Sequence, residues 1–339
     1  MLRASIAGHL CVDLVPQLPP SARLAPGQLI EVGPMDVRLG GCVANTGFAL
    51  RDLGAEVELQ AMVGDDALVP IVSRLLGDRA RVTQLAGEST SFSIVLEPGG
   101  ADRTFWHHTG VNARFDPRRI EIHTDLLHLG YPPLLPGTLV DDAAPLCELL
   151  GAAQRVGVTT SVDLAVVDPD SDVGRLDWRR LLSAILSVTD VISPSVDDLR
   201  SMLSITDAAD LGLAEELAEY LIGDGAAVAL VTAGAAGMVL RSADHGRVAG
   251  GGRVLGALGP VWDDVVVRIP ANLDAVSVTS TGAGDAASAG LLFALLAGFE
   301  PMQAALLARA TSNAVMAGRR PMWDVVSAEE PALAGLVPS

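Results

Sequence analysis

The sequence predicts an α/β fold of three layers, α/β/α, in which helices cover both faces of a mostly parallel central sheet that carries a small β-lid. Three observations lead there. Short continuous apolar runs alternate with longer helical patterns, as parallel strands buried on both faces require. The 339 residues are 50% hydrophobic and 19% charged, enough for one large core and incompatible with a disordered chain. Two segments, residues 12–39 and 89–112, interrupt the alternation with strand-and-turn patterns and no intervening helix.

Strands are expected at residues 4–7, 57–62, 126–129, 159–162, 188–192 and 227–231, each a compact apolar run. Helices are expected at 43–53, 68–76, 138–155, 197–203 and 213–222. Gly54 stands where a glycine ends the first of them. Residues 91–97 and 103–108 flank Pro98-Gly99-Gly100-Ala101-Asp102, the pattern of a hairpin. The two interrupting segments should meet as a lid over one edge of the sheet. Glycine-rich residues 246–259 read as a loop between two late strands. One core is expected over residues 1–325, with a lightly attached tail at 326–339.

Lysine and arginine total 23 against 41 acidic residues, a formal charge of −18, which disfavours nucleic acid and anionic membranes as partners. No lysine occurs, so every one of the 23 is arginine. That excludes Schiff-base chemistry and the lysine-bearing phosphate loop. Any phosphate must be held by backbone amides, arginine or a metal. Three cysteines (Cys11, Cys42 and Cys147) show no metal spacing and fit a reducing compartment. His9 and Asp13 interrupt the first apolar run, so no signal peptide is expected. The longest uncharged apolar runs, 225–240 and 286–299, fall short of the roughly 18–20 residues of a membrane span. A cytoplasmic protein is expected.

The most informative stretch is Ser280-Thr281-Gly282-Ala283-Gly284-Asp285, followed by a strong helix former. Small residues there expose amides at a helix N-terminus, which favours phosphate. A carboxylate at the same place suits a base that takes a proton from a hydroxyl as it attacks phosphorus. A plain N-terminal cap explains Asp285 equally well. Gly282-x-Gly284-x-x-Ala287 also fits a relaxed dinucleotide fingerprint, but no strand follows to carry its ribose-binding acid. Near the other end, Gly40-Gly41-Cys42-Val43-Ala44-Asn45 opens the first strong helix. Its glycines allow close approach to the backbone, and Asn45 offers a donor and an acceptor. Asp13, placed after the first strand, can share a polyol's hydroxyls with Asn45; a simple turn with a capping aspartate is the alternative.

Together these segments resemble the ribokinase (PfkB) carbohydrate kinase family over nearly the whole chain. The glycine pair, with Gly54 and Gly64-Asp65-Asp66, is similar to its N-terminal signature, and Thr281-Gly282-Ala283-Gly284-Asp285 to its C-terminal one. The resemblance implies a ribokinase-like fold and ATP-dependent transfer of phosphate to an alcohol of a sugar or sugar-like molecule, with Mg²⁺. It implies Asp285 as base and amides of Gly282, Ala283 and Gly284 as an anion hole. Asp13, Gly40, Gly41 and Asn45 would bind the acceptor. Val231-Thr232-Ala233-Gly234-Ala235-Ala236-Gly237 resembles the turn beside ATP, making Thr232, Gly234 and Gly237 nucleotide contacts, and Asn313 falls where the family meets adenine. The lid resembles the family's β-clasp, which often pairs two subunits, so a homodimer through the lid is expected. Pro194 is followed by Ser195 and Asp198 where the family has asparagine and glutamate; Asp198 keeps a carboxylate for metal and Ser195 stands beside the phosphates. Thr279 replaces a usual aspartate of a potassium site, leaving a monovalent cation open.

The lid strand that ends Phe105-Trp106-His107-His108 offers one of its histidines to the acceptor, His107 or His108, with the choice between them open, and Arg103 at its start can reach substrate or solvent. Tyr131 suggests a flatter or larger substrate surface, or packing. Tyr131 and Trp106 also suit stacking of a base, so a nucleoside kinase is the rival within the class. A sugar- or nucleotide-binding regulator is the rival outside it.

Overall fold

A computed structural model describes residues 2–19, 22, 26–77, 80–96, 104–272 and 278–336, and all structural statements concern these. The strands are β1 (Arg3–Gly8), β2 (Cys11–Pro16), β3 (Met35–Gly40), β4 (Glu56–Val63), β5 (Ala80–Gln84), β6 (Phe92–Leu96), β7 (Thr104–His108), β8 (Leu126–Gly130), β9 (Thr159–Val162), β10 (Val191–Ile192), β11 (Val228–Thr232), β12 (Gly237–Ser242) and β13 (Val266–Pro270). The helices are α1 (Cys42–Leu53), α2 (Val69–Leu76), α3 (Val140–Arg155), α4 (Trp178–Leu186), α5 (Val196–Leu203), α6 (Leu211–Gly223), α7 (His245–Ala249), α8 (Gly252–Leu255), α9 (Ala283–Ala297), α10 (Pro301–Met316) and α11 (Trp323–Glu329).

Nine strands form the main sheet in the order β13-β12-β11-β10-β9-β8-β1-β4-β5. From β5 to β11 all neighbours run parallel, while β12 and β13 extend the sheet antiparallel. At the centre, Ile6 of β1 lies opposite Leu59 of β4 and His128 of β8. Helices on both faces leave these strands almost wholly buried, which is why they read as unbroken apolar runs. A second sheet, β3-β2-β6-β7, stands apart as the lid. The anticipated hairpin is β6 with β7, Ser93 opposite His107; its turn lies outside the described residues. Asp66 ties the lid to the core: its carboxylate accepts from Thr90 N at 2.7 Å and Thr90 Oγ1 at 2.9 Å.

Four expectations change. The strand at 188–192 shrinks to Val191–Ile192, because Val188 and Thr189 close the end of α4, and Asp190 accepts from Thr160 N at 2.8 Å and from Arg247 Nη1 at 3.0 Å. The helix α4 was not anticipated, although Trp178, Leu181, Leu182, Ile185 and Leu186 repeat at helical spacing on its buried face and Asp177 caps it. The glycine-rich 246–259 segment is helical rather than a loop. Asp244 caps α7, and the Arg247 side chain anchors it to Asp190, Gly225 O and Thr189 O. The tail is packed, not lightly attached: Val326 and Leu333 are fully buried, and Glu330 pairs with Arg309 of α10. Among the described residues no helix is long and apolar enough to cross a membrane.

The helix α9 is apolar all round and buried from Asp285 to Leu295 between α1 and α10. Gly290 permits the closest approach: a β-carbon there would lie 2.7 Å from Ala308 Cα and 2.8 Å from Leu307 O. Backbone atoms cannot swing aside as a side chain does. Gly290→Val is therefore expected to destabilise by about 1–3 kcal/mol, read as a lower urea midpoint at unchanged slope.

Candidate active site

The carboxyl ends of β1, β8, β9 and β11, the N-terminus of α9 and the inner face of the lid surround one cavity of about 920 Å³. Ligands of open parallel sheets collect at such strand ends.

Asp285 is its chemical centre. Gly282, the N-cap of α9, takes a left-handed conformation (φ 76°) that glycine tolerates, and Asp285 follows in the first turn. Its side chain is buried, only 5% exposed. Asn45 Nδ2 donates to Oδ2 at 3.0 Å, Thr46 Oγ1 to Oδ1 at 2.9 Å, and the Tyr131 hydroxyl to Oδ1 at 2.5 Å. Burial raises the Asp285 pKa, and the bonds from Tyr131, Asn45 and Thr46 pull it back down. A carboxylate oxygen offers two lone-pair sites. Those of Oδ1 are both taken, so one site on Oδ2 remains for an incoming proton. Asp285 is thus more than a capping residue. Thr46 escaped the sequence reading, because a threonine inside a helix carries no signal until its partner 239 residues away is known. Tyr131, expected against substrate, lines the cavity, and its hydroxyl also holds the carboxylate.

The amides at this turn divide. Ala283 N already donates to Ser280 O at 3.3 Å. Among the described residues no acceptor meets the amides of Gly282 and Gly284, and a β-carbon on Gly284 would meet nothing. Free amides and a positive helix end together suit an anion.

The glycine pair earns its place by contact. A β-carbon on Gly40 would strike Asp13 Oδ2 at 2.3 Å, and one on Gly41 (φ 84°) would lie 2.5 Å from His9 Nδ1. Asp13 sits within β2, in the lid sheet, rather than directly after the first strand. Its Oδ1 accepts from Cys11 Sγ at 3.2 Å, and burial raises its pKa. Of the two lid histidines, His107 lines the cavity with Nδ1 3.0 Å from Ser93 Oγ; His108 bonds Ser89 Oγ at 2.7 Å. Arg103 lies outside the described residues.

Thr232, Gly234, Gly237 and Asn313 line the far part of the cavity. Ser195 and Asp198 line it too, and they form a capping box on α5: Asp198 N donates to Ser195 Oγ at 3.0 Å, and Ser195 N to Asp198 Oδ2 at 2.7 Å. The other Asp198 oxygen lies outside that cap. Asp163 was missed by sequence. It follows β9 directly, is 5% exposed, accepts from Leu164 N at 2.8 Å and Ser288 Oγ at 3.3 Å, and lines the cavity. Burial, then Asp285 and then Asp198, push its pKa well up. The strand-end rule applied to β9 would have found it. Thr279 Oγ1 accepts from Thr281 N at 3.1 Å, so its hydroxyl serves the turn.

A family model described as pfkB family carbohydrate kinase matches residues 2–320. The chain belongs to this family. PfkB kinases phosphorylate sugar or nucleoside alcohols from ATP, so the chain is an enzyme of that class. Its structure is similar to phosphofructokinase-2 from Escherichia coli in a tetrameric inhibited form (TM-score 0.73, 16% identity, 98% of this chain and 100% of that one). It is also similar to Burkholderia thailandensis nucleoside kinase in complex with inosine (0.69, 19%, 99% and 99%). Arabidopsis thaliana ribokinase with ribose and ATP gives 0.69 at 17% identity, covering 96% and 97%. At such identities these likenesses establish the ribokinase-like fold.

The capping box of this PfkB kinase can be tested alone. Ser195→Ala removes one of its two bonds and is expected to cost about 1 kcal/mol of stability by denaturant unfolding.

Proposed function

We propose that this PfkB kinase transfers the γ-phosphoryl group of ATP to a hydroxyl of a sugar or sugar-like alcohol, with Asp285 as general base. The observation that carries the proposal is the single lone-pair site left on Asp285 Oδ2 beside the free amides of Gly282 and Gly284. The acceptor hydroxyl gives its proton to Oδ2 as its oxygen attacks the γ-phosphorus; the bond to the bridging oxygen breaks and ADP leaves. Charge on the transferring group meets the two amides and the end of α9. Asp13 and Asn45 hold further acceptor hydroxyls, and the lid sheet keeps water from the donor.

The residues present fit ATP and Mg²⁺. No three acidic, histidine or cysteine side chains among the described residues converge on a metal. Mg²⁺ typically uses one or two carboxylates and the substrate's phosphates, so Asp198 and Asp163, hard oxygen donors on the cavity wall, suffice. The metal would supply neutralisation of phosphate charge. Thr232, Gly234 and Gly237 would flank the phosphates and Asn313 the adenine.

A nucleoside acceptor is the second reading, favoured by Phe105 and His107 on the lid wall and by the fold shared with the Burkholderia enzyme. A homodimer through the lid is supported by half-exposed Trp106 on β7, which alternates away from the cavity-lining Phe105 and His107. The three cysteines are free, in keeping with a cytoplasmic location.

Asp285→Asn is expected to lower turnover at least about 100-fold while ATP affinity, measured by calorimetry, stays within about twofold. Retained turnover refutes the assignment. Tyr131→Phe removes a bond that stabilises the ionised carboxylate, so the carboxyl pKa rises. The ionised form is the active one, and activity falls as pH drops through that pKa. The acidic limb of the turnover profile should therefore move to higher pH in Tyr131→Phe.

A further inference from the structure

The cavity holds a polar side chain that the chemistry above does not use. His9 follows β1, where its amide donates to Gly130 O at 2.6 Å and its carbonyl accepts from Val43 N at 3.2 Å. These bonds fix its backbone between the end of β8 and the start of α1. The ring is 2% exposed and lines the cavity, yet among the described residues neither Nδ1 nor Nε2 has a hydrogen-bond partner. Buried polar atoms are nearly always paired. His128, the other buried histidine, lies outside the cavity lining, and there Nδ1 meets Ser161 Oγ at 2.8 Å while only Nε2 lacks a partner among the described residues. Only because residue 41 lacks a β-carbon is Nδ1 of His9 left room; such a carbon would sit 2.5 Å away. The His107 ring lies 5.4 Å from that of His9, centre to centre, and Tyr131 lies 5.8 Å away. The three rings form one wall.

We propose that His9 is a specificity-determining residue that hydrogen-bonds a hydroxyl of the acceptor, and that the acceptor is a neutral polyol. The inference rests on the kinase assignment above. Burial and the neighbouring His107 lower the His9 pKa to about 3, so at working pH the imidazole is neutral, with one N–H donor and one lone pair. Asn45 spends its Nδ2 on Asp285 and leaves its carbonyl oxygen, and Asp13 offers carboxylate oxygens. Two acceptors and a donor–acceptor ring match hydroxyls, each of which both gives and takes. Charge complements this. The acceptor end carries the carboxylates Asp13 and Asp285 and neutral imidazoles. Among the described residues lining the cavity the one arginine is Arg309, on α10, bonded to Pro270 O and Glu330. Among the described residues that line the acceptor end, no arginine is present to meet the charge of an anionic acceptor.

The test is thermal unfolding of wild type, His9→Phe and His9→Gln, each with D-ribose, D-fructose, inosine or fructose 6-phosphate. Wild type should be stabilised by at least one of the three neutral probes and not by fructose 6-phosphate. His9→Phe removes unpaired buried nitrogens, so it should melt no lower than wild type without a probe, yet lose the probe's shift. His9→Gln, which restores a donor and an acceptor, should recover part of it. With the stabilising probe as substrate, His9→Phe should raise the acceptor KM about tenfold and leave the ATP KM within about twofold. A His9→Phe variant that melts lower but keeps the probe's shift and KM makes His9 structural and overturns the inference alone. Stabilisation by fructose 6-phosphate in place of the neutral probes overturns the neutral class. A wild type stabilised by none of the four overturns the acceptor reading and this inference with it.

Discussion

Both oxygens of one buried carboxylate are held by three donors from two separate places in the chain, and the site takes its shape from that. Asn45 and Thr46 reach Asp285 from the first turn of α1, and Tyr131 reaches it from just beyond β8. An ionised group with so little exposure requires such bonds, since burial alone would neutralise it. The bonds join the two glycine-rich turns, about 240 residues apart, into one structure. They also set direction: with Oδ1 filled, only Oδ2 can face an acceptor. The proposed base role draws on both properties, hydrogen bonds that favour the ionised form and one accessible lone pair.

The absence of lysine becomes intelligible in the same terms. In the proposed mechanism phosphate charge falls to backbone amides at the start of α9, which cost no side-chain entropy. The price is a crowd of carboxylates. Asp163, Asp198 and Asp285 share one cavity, and each has its pKa raised, first by burial and, for Asp163 and Asp198, also by acidic neighbours. Structures tolerate that tension chiefly at functional sites, where a ligand relieves it.

Much of this was legible in the residues themselves. Fully buried strands announce themselves as apolar runs, so the parallel core was read nearly strand for strand. Where a polar pair replaced apolar burial, as Asp190 with Arg247 does beside β10, the pattern misled. Glycines at 246–259 looked like a loop because the anchor that makes them helical is Arg247, whose partners lie far off in sequence. At the site, glycine turns betray positive φ and close approach, so Gly41, Gly282 and their neighbours stood out. Thr46 and Asp163 did not, because a hydroxyl or carboxylate acquires meaning only from what folding sets beside it. Tyr131 stood out as a wall for substrate and does line the cavity; that its hydroxyl also serves the carboxylate was not legible, because it depends on Asp285 being folded against it.

The most direct test of the central claim is a crystal structure of the protein with a non-hydrolysable ATP analogue, Mg²⁺ and a neutral acceptor that it phosphorylates. The account predicts the reacting hydroxyl within hydrogen-bond distance of Asp285 Oδ2, in line with the γ-phosphorus, with Tyr131 still on Oδ1. A reacting hydroxyl seated against another residue, with Oδ2 turned away from it, would contradict the account.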